Sequence, residues 1–442
     1  MSVATRLLPL VPFAERRARL DAVLSRGAHF DPEVERATRA LVEQVRAEGD
    51  AALLALTERF DGVRPERLRV PEAALRAAWG DLDAELRETL EQAARNVRRF
   101  HEGQRERSWF TEDGDGVVLG QRIVPMERVG LYVPGGTAAY PSSVIMNAVP
   151  AQVAGVDEIH VVSPPGADGL PHPLVRAAAH LLGLGEVYAV GGAQAVAALA
   201  YGTETVPKVD KVVGPGNAYV AMAKRLVYGV VDIDSLAGPS EIVVLADATA
   251  EPRFVAADLL SQAEHDARAS AILVTPSRAL AEAVQAEVER LVPTLERRAI
   301  LEEALPRYGA CVVTETLEEA VEVVNELAPE HLEIITADPW AAMTRVRHAG
   351  ALFLGPHATE PVGDYFAGPN HVLPTGGTAR YASALGVHDF VRRQSVIHYT
   401  AERLRRTGAR IARFADAEGL GAHALAVRVR LEAEAATKAG PA

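Results

Sequence analysis

Residues 186–202 read EVYAVGGAQAVAALAYG and residues 211–227 read KVVGPGNAYVAMAKRLV. Each opens on a short apolar run, turns through glycines, and continues through small residues in a helix-compatible stretch. Strand, glycine turn and helix therefore occur twice in succession. Short apolar runs bounded by turns suit strands buried on both faces, as in a parallel sheet covered by helices. The expected fold class is α/β, with parallel strands joined by helical crossovers.

The same grammar extends outward. VGLYVPGG (129–136), PSSVIMNAVPAQVAG (141–155) and EIHVVSPP (158–165) supply strand, helix and strand. It restarts at SEIVVLADA (240–248) and runs through ASAILVTP (269–276), GACVVTET (309–316), HLEIITAD (331–338) and GALFLGP (350–356). Two such blocks predict two Rossmann-like parallel-sheet domains, a possible duplication, although no residue-level repeat relates them. Upstream, residues 32–62 have helical apolar spacing broken at Gly49-Asp50, and beyond about 380 the chain turns helical and charged. The expected organisation is a mainly helical region 1–121, part of it packing with the second sheet domain. It is followed by a first α/β domain 122–238, a second 239–379 and a helical segment 380–442 whose end, ATKAGPA, is expected to fray.

Composition narrows the function. The 442 residues exceed what one core serves, and 48% hydrophobic with 24% charged residues is a soluble globular balance. The opening MSVATRLLPLVPFAERRARL has too short an apolar core for a signal peptide, and no apolar run is long enough to span a membrane. A single cysteine fits a reducing compartment, so a cytoplasmic location is expected. A net charge of −13 without a Lys/Arg run argues against nucleic acid.

Three strands end in glycine turns, VPGG (133–136), VGGAQ (190–194) and VGPGNAY (213–219). None is the dinucleotide fingerprint, because Tyr219 stands at the third glycine position of GPGNAY. Each alone reads equally as a tight turn. Three at the same end of successive strands point to a ligand, since open α/β sheets bind at strand carboxyl ends. Gln262 and His265, at i and i+3 in AADLLSQAEHDARA (256–269), can share a helix face and chelate one ion, or form a plain polar face. The turn-rich segment 355–377 holds His357, Asp364 and His371, with Asp364 a candidate third ligand. Glu418 and His423 flank a glycine bend that reads otherwise as a solvated helix end. Cys311 sits in an apolar strand and is expected to be inert, while His29 and His101 are expected at the surface.

NELAPEHLEI (325–334) places Glu330 beside His331 between a proline and a strand. Pro329 ends the preceding helix and disfavours helix for Ala328. Inside a strand, neighbours point to opposite faces, but in a loop both can flank one ligand. The pair precedes its strand, the end where such sheets seldom bind.

Together these segments, with VRAEGDAALLALTERFDG, AGPSEIVVLAD, HAGALFLG and GPNHVLPTGGTARYAS, resemble the histidinol dehydrogenase family over nearly the whole chain. Departures are confined to loops such as PPGADGLPHP (164–173) and to the tail. The resemblance implies NAD-dependent, zinc-assisted oxidation of L-histidinol to L-histidine through L-histidinaldehyde, ending histidine biosynthesis. It implies His331 as general base and Glu330 as the group that activates water. It implies Gln262, His265, Asp364 and His423 as ligands of one Zn2+ per subunit, a set that Mn2+ and Co2+ also suit. Substrate contacts fall on Ser240 and Glu418 besides His331 and the metal ligands, and NAD contacts on Tyr132, Gln194 and Asn217. The family's dimer is intertwined, Glu418 and His423 completing the other subunit's site. With the lone thiol in a core strand, water attacks the aldehyde directly. A zinc hydrolase using the same chelate, with Glu330 on a metal-bound water, is the alternative, but it leaves the three glycine turns unexplained. A non-catalytic two-domain binding protein has no need of an ionisable pair in a loop.

Overall fold

The computed structural model describes residues 6–25, 31–135 and 140–439, with 434–439 as backbone alone. His29 and Gly136 lie outside the described residues. The chain divides into two compact units, residues 1–104 with 126–390, and residues 105–125 with 391–442.

In chain order the strands are β1 (Leu10–Pro12), β2 (Trp109–Glu112), β3 (Val118–Pro125), β4 (Arg128–Tyr132), β5 (Glu158–Ser163), β6 (Glu186–Ala189), β7 (Lys211–Val213) and β8 (Asp232–Ile233). They continue as β9 (Glu241–Ala246), β10 (Ser270–Thr275), β11 (Ala310–Val313), β12 (His331–Ile335), β13 (Ala351–Leu354) and β14 (Val391–His398). The first unit holds a five-stranded sheet, β6-β5-β4-β7-β8, and a six-stranded sheet, β1-β11-β10-β9-β12-β13. Every pairing in both is parallel. The N-terminal strand β1 joins the second of these sheets, setting Leu10 against Cys311.

The continuous apolar runs arise because both faces of each sheet are covered. In β9, Ile242, Val244 and Ala246 pack into one core while Val243 and Leu245 pack into the other. Cys311 is buried in the first of these cores, and burial pushes its thiol up to about 12, so it is inert.

The turn after β7 needs its glycine. Gly214 has φ 109°, and a Cβ there would lie 2.1 Å from the Tyr132 carbonyl oxygen. Lys224 donates to the Gly214 carbonyl at 3.0 Å and pairs with Asp234, which accepts from the Gly214 N–H at 2.7 Å. This buried pair has its hydrogen bonds made and so pins the turn.

His101 is not at the surface as expected. It is fully buried in the helix Ala84–Glu102, its Nδ1 donating to the Val97 carbonyl at 2.8 Å. Asn370 donates to the Met146 carbonyl at 2.6 Å, with its Nδ2 also 3.4 Å from His101 Nε2. The histidine thereby anchors the turn-rich segment 355–377 to the helices beneath it.

The second unit is an antiparallel sheet, β14-β3-β2, with the helices Ala401–Ala417 and Gly421–Ala439. The segment 380–442, expected to be helical, thus contains the eight-residue strand β14, paired with β3 from Val391↔Pro125 to His398↔Val118. Its sequence, VRRQSVIH, is mostly exposed and lacks the apolar alternation that marks a half-buried strand. The tail expected to fray remains helical to Ala439, and 440–442 lie outside the described residues. Among the described residues no helix is long and apolar enough to cross a membrane.

Candidate active site

At the carboxyl ends of β4, β6 and β7 the three glycine turns open on a cavity of ≈ 1010 Å³ lined by Tyr132, Gln194 and Asn217. That volume suits a cofactor-sized ligand. Tyr132 accepts from the Gly192 N–H at 3.1 Å, and burial pushes its phenol up to about 12. Asn217 caps the helix Ala218–Val227, its side-chain oxygen accepting from Tyr219 N–H at 3.0 Å and Val220 N–H at 3.2 Å. Three residues from three separate strand–turn–helix units, the end of β4, the first turn of the helix Gly192–Tyr201 and the cap of the helix Ala218–Val227, thus meet at one cavity.

The second constellation lies at the opposite kind of edge. The helix Leu317–Leu327 is stopped by Ala328 in the left-handed region, φ 48°, and Pro329 directs the chain into β12. His331 is the first residue of that strand and Glu330 the residue before it, so the two escape strict alternation. Their side chains converge, with Glu330 Oε2 3.7 Å from His331 Nδ1. Gly350 lets the adjacent chain close on this entrance. Its N–H donates to the Pro329 carbonyl at 2.9 Å, and a Cβ there would lie 2.6 Å from the Glu330 carbonyl oxygen.

His331 is fixed by the neighbouring strand. Its Nδ1 donates to the Glu241 carbonyl at 3.1 Å, and the Glu241 N–H donates to Glu330 Oε2 at 3.0 Å. A carbonyl only accepts, so Nδ1 carries a proton and Nε2 is the working nitrogen. Nε2 is buried without a hydrogen-bond partner and faces Asp364 Oδ1 at 3.7 Å.

The helix Pro252–Ala263 runs back from β9 and ends at this same edge, bringing Gln262 and His265 to it. Contrary to the expectation that they share a helix face, the helix stops at Ala263, before His265. His265 sits in the following turn, its N–H donating to the Gln262 carbonyl at 3.2 Å. Asp364 is carried by a π-helical turn, Gly363–Ala367, inside the segment expected to be irregular. His371 donates from Nδ1 to the Asp364 carbonyl at 3.1 Å. The awkward placement of Glu330-His331 therefore has a structural reason. The amino edge of the six-stranded sheet gathers the starts of β9 and β12 and the end of the returning helix.

Charge is concentrated here. Burial opposes a charged His331, but Glu330, Asp364 and Glu360 outweigh it and hold the imidazole up at about 10. Burial pushes Glu330 up to about 8, against the pull of His331. Burial likewise raises Asp364, yet His331, His371 and His265 together bring it below the ordinary carboxylate range. Partial desolvation holds His265 below the usual imidazole range, although Asp364 opposes this.

Beneath them lies a carboxylate network that the sequence reading missed. Glu360 is 2% exposed and accepts from Ser261 Oγ at 3.1 Å. Its N–H donates to Glu333 Oε1 at 2.8 Å. Glu333 Oε2 has no donor, and beside it Asp258 is itself an acceptor, taking a hydrogen bond from Thr359 Oγ1 at 2.7 Å. One proton held between Asp258 and Glu333 resolves the contact, and burial raises both acids, Glu333 to about 10. The available signal was Glu333 itself, a charged residue where a core strand calls for an apolar one.

Among the described residues one group of His, Cys, Asp or Glu side chains is close enough to hold an ion. His331, Glu360 and Asp364 each offer an atom within 4.8 Å of the others. It overlaps the expected ligands only at Asp364. Gln262, buried and adjacent, contributes an amide, and the resulting nitrogen and oxygen donors fit zinc or a similar divalent ion. Ser240 immediately precedes β9 at the same edge. Glu418 and His423 belong to the second unit, where both are exposed at the junction of its two helices.

Comparison with known proteins bears on this arrangement. A sequence model described as Histidinol dehydrogenase matches residues 24–431. The chain is 61% identical over 400 residues to the histidinol dehydrogenase of Geobacillus kaustophilus, covering 90% of this chain and 94% of that one. It is 54% identical over 426 residues to that of Chlorobaculum tepidum, covering 96% and 100%. The crystal structure of histidinol dehydrogenase from Elizabethkingia anophelis superimposes with a TM-score of 0.92 at 35% identity, covering 97% of this chain and 99% of that one. With whole-length matches in both sequence and fold, the chain belongs to the histidinol dehydrogenase family.

Proposed function

We propose that the chain oxidises L-histidinol to L-histidine through L-histidinaldehyde, consuming two NAD+ and one water. The observation that carries this reading is the buried, unpartnered Nε2 of His331, with Nδ1 committed to Glu241, beside Glu330 in a member of this family. With a divalent ion bound beside them, its positive charge would leave His331 neutral and Glu330 ionised, and His331 then takes the alcohol proton at Nε2 in the first oxidation and a proton from the hydrated aldehyde in the second. Glu330 activates the water that hydrates the aldehyde. Tyr132, Gln194 and Asn217 hold the nicotinamide cofactor, which accepts the hydride in each half-reaction.

Gln262, His265 and Asp364, with His423 of the partner subunit, hold a divalent ion, and the substrate is contacted by Ser240 of the same chain and by Glu418 of the partner subunit. Zinc, when bound, supplies positive charge that orients and polarises the amino alcohol. The second unit supports the dimer in this reading. Its Trp109, Phe110, Ile397, Phe414 and Leu425 are large apolar side chains left exposed in a single chain. The domain reading follows: residues 122–238 serve the cofactor, 239–379 the metal and the chemistry, and 380–442 the other subunit. The test is absorbance at 340 nm. A rise with L-histidinol and NAD+ and none without NAD+ supports the dehydrogenase, whereas turnover that needs no NAD+ contradicts it and favours a zinc hydrolase.

A further inference from the structure

Gln262 is the unusual member of the proposed ligand set, because an amide offers a metal only one of its two ends. Its two contacts with Glu360 are satisfied in one orientation, with Nε2 donating to Glu360 Oε1 at 2.6 Å and Oε2 at 3.0 Å; the same nitrogen lies 3.1 Å from His331 Nδ1, whose own proton is directed to the Glu241 carbonyl. The planar amide then has its carbonyl oxygen on the side away from Glu360. Glu360 is itself held, its Oε2 accepting from Ser261 at 3.1 Å and its N–H donating to Glu333 at 2.8 Å. Both carboxylate oxygens are thus engaged by protein donors, which fits an orienting group better than a ligand.

We propose that Glu360 is a positioning residue that fixes the Gln262 amide so that its oxygen, and not its nitrogen, faces the metal. This rests on the reading of Gln262 as a ligand. Without an acceptor at 360 the amide loses the partner that holds its nitrogen on that side and can turn N–H groups toward the cation. Outer partners of this kind typically change metal affinity by about 10–100-fold.

The experiment measures zinc affinity by competition with a chelator in Gln262→Met, Glu360→Met and Glu360→Gln, with thermal melting to verify folding. Met keeps volume without an acceptor, and Gln keeps an acceptor without the charge. Glu360→Ala backs up Glu360→Met should the thioether pack badly. The expected result is zinc loss in Gln262→Met, affinity weakened about 10–100-fold in Glu360→Met, and near-native affinity in Glu360→Gln. X-ray absorption of the zinc in Glu360→Gln should show an unchanged number of nitrogen and oxygen ligands. Weakening in Glu360→Gln equal to that in Glu360→Met makes Glu360 a ligand or a charge and overturns the proposal, as does full affinity in Glu360→Met. Unchanged affinity in Gln262→Met instead removes the ligand reading on which the proposal stands.

Discussion

Glu333 shows what a single residue records. It is 1% exposed in β12, facing Asp258, and its carboxyl is raised to about 10 against an ordinary 4.5. The folded chain therefore keeps a proton that the unfolded chain releases above about pH 4.5. The sign follows directly: stability is full below the ordinary value and falls as pH rises toward the folded one. Glu333→Gln, which mimics the protonated acid and can donate to Asp258, removes that loss. We expect its melting temperature to exceed that of the unsubstituted protein by on the order of 2–4 °C at pH 8, with the gap closing near pH 5. A gap that widens toward acid pH contradicts the shared proton. The residue was legible only as an oddity, because its partners Asp258 and Glu360 are distant in sequence and are brought together by folding.

At the scale of elements, the central strands of both parallel sheets were legible because burial on two faces leaves unbroken apolar runs such as EIVVLA in β9, whereas the two- and three-residue edge strands β8 and β1 were not. The exposed strands β2 and β14 were not, since exposure removes the pattern that would mark them. The entrance to β12 was half legible. Pro329 announced a stop, but only the structure shows that Gly350 must pack against the Glu330 backbone. Gly350→Ala places a methyl 2.6 Å from the Glu330 carbonyl oxygen and has to shift Glu330 and His331. Misplacement on the scale of 1 Å costs about 10²-fold in rate. We expect a loss of that size in kcat, with zinc content retained. Unchanged kcat contradicts the role given to this close approach.

For the whole molecule, the roles proposed for Glu418 and His423 rest on family resemblance alone, because their own sequence reads as an ordinary helix end. If they complete the site of a second copy, His331→Asn and His423→Asn are each inactive as homodimers but complement one another. A mixed dimer then contains one intact site, so random exchange restores about one quarter of native activity. No recovery after verified subunit exchange places His423 in its own subunit's site or outside both. The central claim is narrower, that Glu330 and His331 divide the chemistry between them. It is tested most directly by single-turnover kinetics, with L-histidinol and with L-histidinaldehyde as separate starting substrates. The account predicts that His331→Asn impairs both oxidations, while Glu330→Gln leaves alcohol oxidation largely intact and slows aldehyde oxidation by about 10²–10⁴-fold. Equal loss of both oxidations in Glu330→Gln would contradict it.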